Sequence, residues 1–90
     1  MVNMFDSITI KDTKIKIGML CKKYRKMHQL TREELADAVH VSPTTIQNLE
    51  NGKNATLDTV LKIAYHFDLL ENIFRELEDL ETVTTLKSFY

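Results

Sequence analysis

An all-α fold is what this 90-residue sequence predicts, and three observations carry the prediction. Only two glycines and one proline interrupt the chain, so its connections are few and short. Apolar residues recur at helical rather than alternating spacing over most of its length. Ser and Thr stand repeatedly at the positions that would start those helices. An apolar content of 43% is enough for one core, and the length sets a single domain near the small end of what folds without staples.

Residues 1–12 read as an N-terminal arm, in which Ser7 to Ile10 alternates like a very short strand. Thr13 is the expected N-cap of a first helix running to about His28, with Ile17, Leu20, Cys21 and Tyr24 facing inward and the lysines outward. A single cysteine allows no internal disulfide, and among those neighbours Cys21 reads as a buried small hydrophobe rather than a reactive thiol.

The next segment is the most strongly punctuated. Thr31 followed three residues later by Glu34 forms a capping box, so a second helix should begin at Arg32. Leu35, Ala36 and Val39 fall on one face of it, and Ala36 is small enough for another helix to pass close. Ser42 before Pro43 restarts the chain, because Ser is a favoured N-cap and Pro at the first helical position gives up an N–H that has no partner there. Only His40 and Val41 separate the second helix from this cap. Ile46 and Leu49 give the third helix its buried side, and Asn51 and Gly52, which tolerate the left-handed conformation, close it. Two short helices joined so tightly have the layout of a helix-turn-helix, which makes DNA the leading candidate ligand. After a loop at Asn54 and Ala55, Thr56 caps a fourth helix whose Leu57, Val60, Leu61, Ala64 and Phe67 are expected to close the core over Leu35, Ile46 and Leu49. Asp58 suits its first turn.

These residues carry a resemblance. From about Ile17 to Phe67, through LTREELADAV, VSPTTIQNLENGK and TLDTVLKIA, the sequence resembles the Cro/XRE, or lambda-repressor-like, family of helix-turn-helix regulators. The resemblance implies a compact bundle of about five helices, with the helix from Pro43 to Asn51 lying in the DNA major groove. It implies base contact from Pro43, Thr44, Gln47 and Asn48, and phosphate contact from Ser42, Thr45, Asn51 and Lys53. Pro43 departs by offering no polar group, so its contact would be apolar. Independently of the family, the amides of Gln47 and Asn48 can pair bidentately with adenine N6 and N7. Arg32 stands where the family usually has Gln, adding charge for phosphate while opposing the helix dipole. His40 stands where Gly is usual, which at positive φ costs on the order of 1 kcal/mol.

Charge fits this reading by its distribution, not its total. The net charge of −1 does not announce a nucleic-acid binder. Residues 11–32 nevertheless carry eight cations, Arg25 and Arg32 among them, against Asp12 alone, a local +7, whereas residues 61–90 carry three cations against six acids. Arg25 joins Arg32 as an expected phosphate contact at this basic end.

Residues 69–90 form the last expected segment, a helix with Leu70, Ile73, Phe74, Leu77 and Leu80 on one face, continued less regularly by Val83, Leu86, Phe89 and Tyr90. A core of this size cannot easily bury all of that stripe, so part of it is expected to pair with a second copy or with another protein, the alternative being that it folds back on its own domain. A homodimer would read a pseudo-palindromic operator. The domain between the arm and this segment, residues 13–68, would hold the DNA.

The expected function is thus a sequence-specific, cytoplasmic transcriptional regulator, acting as a repressor. One alternative is an antitoxin, because TTIQNLENGKNATLDTVLKIAYHFDLLENI most resembles the small antitoxins that pair with Hip-type kinase toxins and repress their own operon. Another is a protein-docking module that binds no DNA. His28, His40 and His66 are too dispersed for a metal site, and the paired carboxylates lack a companion nucleophile, so neither a cofactor nor an enzyme is expected. No apolar run reaches the length of a membrane span, and the start MVNMFDSITIKDT lacks the pattern of a signal peptide.

Overall fold

A computed structural model describes residues 7–88 of the chain, with side chains through residue 84. The first six residues of the expected arm, and the apolar continuation at Leu86, Phe89 and Tyr90, fall outside the described residues or side chains. Five helices follow in order: α1 (Ile10–Met27), α2 (Arg32–Val39), α3 (Pro43–Glu50), α4 (Leu57–His66) and α5 (Leu70–Ser88). The all-α fold is as the sequence predicts, with no strand among the described residues; the strand-like stretch at Ser7 to Ile10 is irregular up to Thr9 and helical from Ile10.

Local chemistry sets the helix starts. Thr31 accepts from the Glu34 N–H at 3.0 Å while Glu34 accepts from the Thr31 N–H at 2.8 Å, completing the expected box at α2. Ser42 and Thr56 cap α3 and α4 by accepting from Thr45 and Thr59 N–H, each at 3.1 Å. For α1 the expectation needs correction. Its cap is Thr9, whose hydroxyl accepts from the Asp12 N–H at 2.9 Å and whose N–H donates to the Asp12 carboxylate at 3.1 Å. Thr13 lies inside the helix, its hydroxyl donating to the Thr9 carbonyl. The first turn of α1 therefore occupies residues 10–12, which the sequence reading placed in the arm.

The helix ends share one device. Gln29, His40, Gly52 and Asp68 all have positive φ, and in each case the following N–H reaches back five residues: Leu30 to Arg25, Val41 to Ala36, Lys53 to Asn48, and Leu69 to Ala64. Only one of the four is glycine. Asn51, expected to share the left-handed role with Gly52, instead has φ of −88°.

Packing centres on α3, which contacts α1 and α2, while α4 lies against α2 and carries α5. Leu35 and Ile46 are fully enclosed, joined by Cys21, Ala36, Val39, Leu49, Ile63 and Phe67. Phe67 stacks near Tyr24 and His28, with ring centroids 5.8 and 4.9 Å away, and so ties the end of α4 to the end of α1. Two expected core residues lie outside. Leu20 is exposed because α1 turns Gly18, Cys21 and Arg25 inward, and Leu57 is 73% exposed because α4 buries Thr59, Ile63 and Ala64 instead. Leu70, Phe74, Leu77 and Leu80 of α5 are exposed, and Ile73 is half-buried. No described helix is long and apolar enough to cross a membrane.

Candidate nucleic-acid interface

The short α3 presents two unlike faces. Ile46, Leu49 and Glu50 point inward, which leaves Pro43, Thr44 and Gln47 exposed along the other side, with Asn51 following at the end of the helix and Asn48 half-buried at the edge. The four residues expected to read bases thus share one helix, and three of them are exposed. At its start, Ser42 and Thr45 are bound to each other through their hydroxyls at 2.8 Å, and Ser42 also takes the Thr45 N–H. Ser42 is thus engaged as the cap and Thr45 as its partner, with Ser42 exposed and Thr45 half-buried at the start of the helix. At its other end, Lys53 is exposed, and its N–H bonds the Asn48 carbonyl at 2.9 Å, drawing the loop back onto α3.

Arg25 departs from the expected phosphate surface. It is buried, its Nε and Nη2 donate to the two Glu50 carboxylate oxygens at 2.6 and 3.1 Å, and its Nη1 donates to the Leu30 carbonyl at 2.8 Å. Its guanidinium is spent on holding α1, the α1–α2 connection and α3 together. Arg32 shares the same partner, with Nε 3.1 Å from Glu50, but its side chain is half-exposed at the start of α2.

Glu50 is the residue that sequence reasoning missed. Burial alone would raise its carboxyl pKa, but the hydrogen bonds and charges of Arg25 and Arg32 outweigh burial and hold it below the ordinary value. Arg25 is correspondingly raised, chiefly by its hydrogen bond to Glu50. Nearby Cys21 is pushed up to about 11 by burial and by the Glu50 charge, which keeps it a thiol at neutral pH and consistent with a packing role. The signal available in the sequence was position: Glu50 lies four residues after Ile46 and next to Leu49, on the inward face of an amphipathic helix.

Elsewhere on this end of the molecule, Lys14 Nζ donates to the Asn54 side chain, and Ile15 lies against Gly52, so α1 braces the loop that follows α3. Lys22, Lys23 and Lys26 are exposed on the outer side of α1.

Sequence comparison agrees with this geometry. Residues 22–69 match the helix-turn-helix family, a span that includes α2 and α3 entire. A relative described as an uncharacterized HTH-type transcriptional regulator, from Methanocaldococcus jannaschii, is 44% identical over 55 residues, covering 59% of this chain and 83% of the relative.

Proposed function

Because the chain belongs to the helix-turn-helix family of DNA-binding transcriptional regulators, we propose that it is a sequence-specific repressor that binds a pseudo-palindromic operator as a homodimer. The observation that carries this reading is the exposed row on α3. Pro43, Thr44 and Gln47 face solvent on a helix anchored from behind by fully enclosed Ile46, an arrangement that offers side chains to base edges without loosening the core. In this reading Gln47 and Asn48 supply amides to adenine, Thr44 a hydroxyl, and Pro43 an apolar contact to a thymine methyl. Ser42, Thr45, Arg32, Asn51 and Lys53 lie around the row and take phosphates. The buried Arg25 has no place among the contacts and serves the scaffold.

The α5 stripe supports the dimer. Phe74, Leu77 and Leu80 are 60%, 57% and 63% exposed, an apolar row that a second copy would cover, and a two-fold dimer reads half-sites about 34 Å apart or a multiple of that. The same stripe supports a second reading, an antitoxin whose toxin partner docks there, and the two are compatible in one protein.

Selection of genomic fragments by the purified chain at physiological ionic strength tests the proposal. An enriched inverted repeat, with preference relaxed by Thr44→Ala and Asn48→Ala, is the expected result. No enrichment, with binding that merely tracks salt or is absent, would overturn base readout and favour the protein-docking module.

A further inference from the structure

We infer that Glu50 is a positioning residue for DNA: it anchors Arg32 by Nε and so presents the two terminal nitrogens of that guanidinium as a pre-aimed clamp for one phosphate. The inference rests on the DNA-binding reading above and concerns how one contact of it is built.

Three observations lead to it. Glu50 has a side chain only 1% exposed, and Arg25 already meets both its carboxylate oxygens, so its charge is balanced without Arg32. The addition of Arg32 leaves two cations around one anion, and the surplus charge resides on the outer member, whose side chain is 36% exposed. Arg32 uses a single donor in this contact: its Nε meets Glu50 at 3.1 Å, and among the described residues Nη1 and Nη2 have no hydrogen-bond partner. Those two nitrogens form the planar fork that matches a phosphate bidentately.

The anchor also explains why an arginine is tolerated where it stands. Arg32 is the first residue of α2, where a cation opposes the helix dipole and a free side chain would swing into solvent. Fixed at Nε to the last turn of the recognition helix, it moves with α3, and the ordering of a long side chain is met on folding instead of on binding. A lysine at this place would keep the charge but could not hold Glu50 and grip a phosphate with two parallel bonds at once.

The test measures affinity against salt concentration for the enriched operator duplex with the full chain. Arg32→Gln should lower the log–log slope by about 0.9, the loss of one neutralised phosphate, and weaken binding at least several-fold. Arg32→Lys should retain the slope yet still weaken binding several-fold, because the charge remains and the anchored fork does not. Lys62→Gln on α4, remote from α3, should change neither. Glu50→Gln, once circular dichroism shows that the variant remains folded, should weaken binding as Arg32→Lys does. A slope unchanged in Arg32→Gln, or wild-type affinity in Arg32→Lys, would overturn the anchored clamp while leaving the DNA reading intact. Failure of the unaltered chain to bind any duplex would overturn both.

Discussion

Gly18 of α1 lies so close beneath the last turn of α3 that a Cβ on it would stand 2.7 Å from the Glu50 carbonyl oxygen and nearer still to that of Leu49. Both obstacles are backbone, so neither can rotate away. Gly18→Ala would raise the intrinsic helix propensity of α1 by up to about 1 kcal/mol, but it must also push α1 off α3. The second effect should win, with a net loss of about 1 to 3 kcal/mol in urea unfolding. A variant as stable as the parent would show that the two helices can part without cost.

Glu50, whose backbone Gly18 touches, makes stability depend on pH in a definite direction. Its folded carboxyl titrates below the ordinary value of 4.5, so its contribution is complete above that value and is lost as pH falls through the lower folded one. Glu50→Gln removes the charge that balances buried Arg25 and should cost on the order of 3 kcal/mol at neutral pH. The stabilities of parent and variant should then approach each other as the solution is taken below 4.5 and on through the lower value at which the folded parent carboxyl becomes neutral. Urea titrations of both proteins across that range would detect it, and a gap independent of pH would mean that Glu50 acts by shape alone.

His40 holds φ of 60° and ψ of 45° between α2 and α3, the left-handed conformation that a side chain disfavours. The bond from the Val41 N–H to the Ala36 carbonyl, 3.0 Å, depends on that turn. Replacement by Gly should relieve the strain, offset in part by greater freedom of the unfolded chain, for a gain of up to about 1 kcal/mol. That corresponds to a rise of several degrees in Tm for a domain this size. His40→Val should move Tm the other way, because a β-branched residue tolerates positive φ least.

What the sequence made legible here was chemistry confined to a few adjacent residues. The Thr31–Glu34 box, the Ser42–Pro43 start and the Thr56 cap each need only a neighbour three or fewer residues away, and all are present. Thr9 escaped because its box is closed by Asp12, a shorter partner than the usual Glu or Gln, while Thr13 nearby offered an equally plausible start. Periodicity located the apolar faces without fixing helix rotation: Leu20 and Leu57 sit at the margins of their stripes, and small shifts in how α1 and α4 are rolled put Gly18 and Ile63 inside instead. The Arg25–Glu50 pair was invisible for a different reason. Its members are far apart in sequence, each looks like ordinary surface charge, and only the crossing of α1 over α3 brings them together. Of the expected site, the exposed row on α3 was therefore legible from one helix alone, whereas sorting the arginines into scaffold and surface required the tertiary packing.

The proposed dimer predicts a salt dependence opposite to that of DNA binding. From Phe74 to Thr84 every described side chain of α5 is exposed, a length of helix that would be marginal without a partner. Its apolar row is flanked by Glu71, Glu76, Glu78, Asp79 and Glu81, with Arg75 the sole cation among the described side chains of α5, and Arg75 is already paired with Glu71. Two such helices brought together repel across their rims while their centres attract, and added salt screens the repulsion without weakening apolar burial. Sedimentation equilibrium should therefore show tighter self-association as salt rises, while operator affinity falls over the same range. Leu77→Lys, at the centre of the row, should leave α1–α4 folded, abolish the dimer, and reduce operator affinity because each half-site is then bound alone. Dimers that persist in this variant would place the two-fold contact elsewhere, and a chain that stays monomeric at high micromolar concentration in any salt would remove the homodimer and turn the stripe over to a different protein.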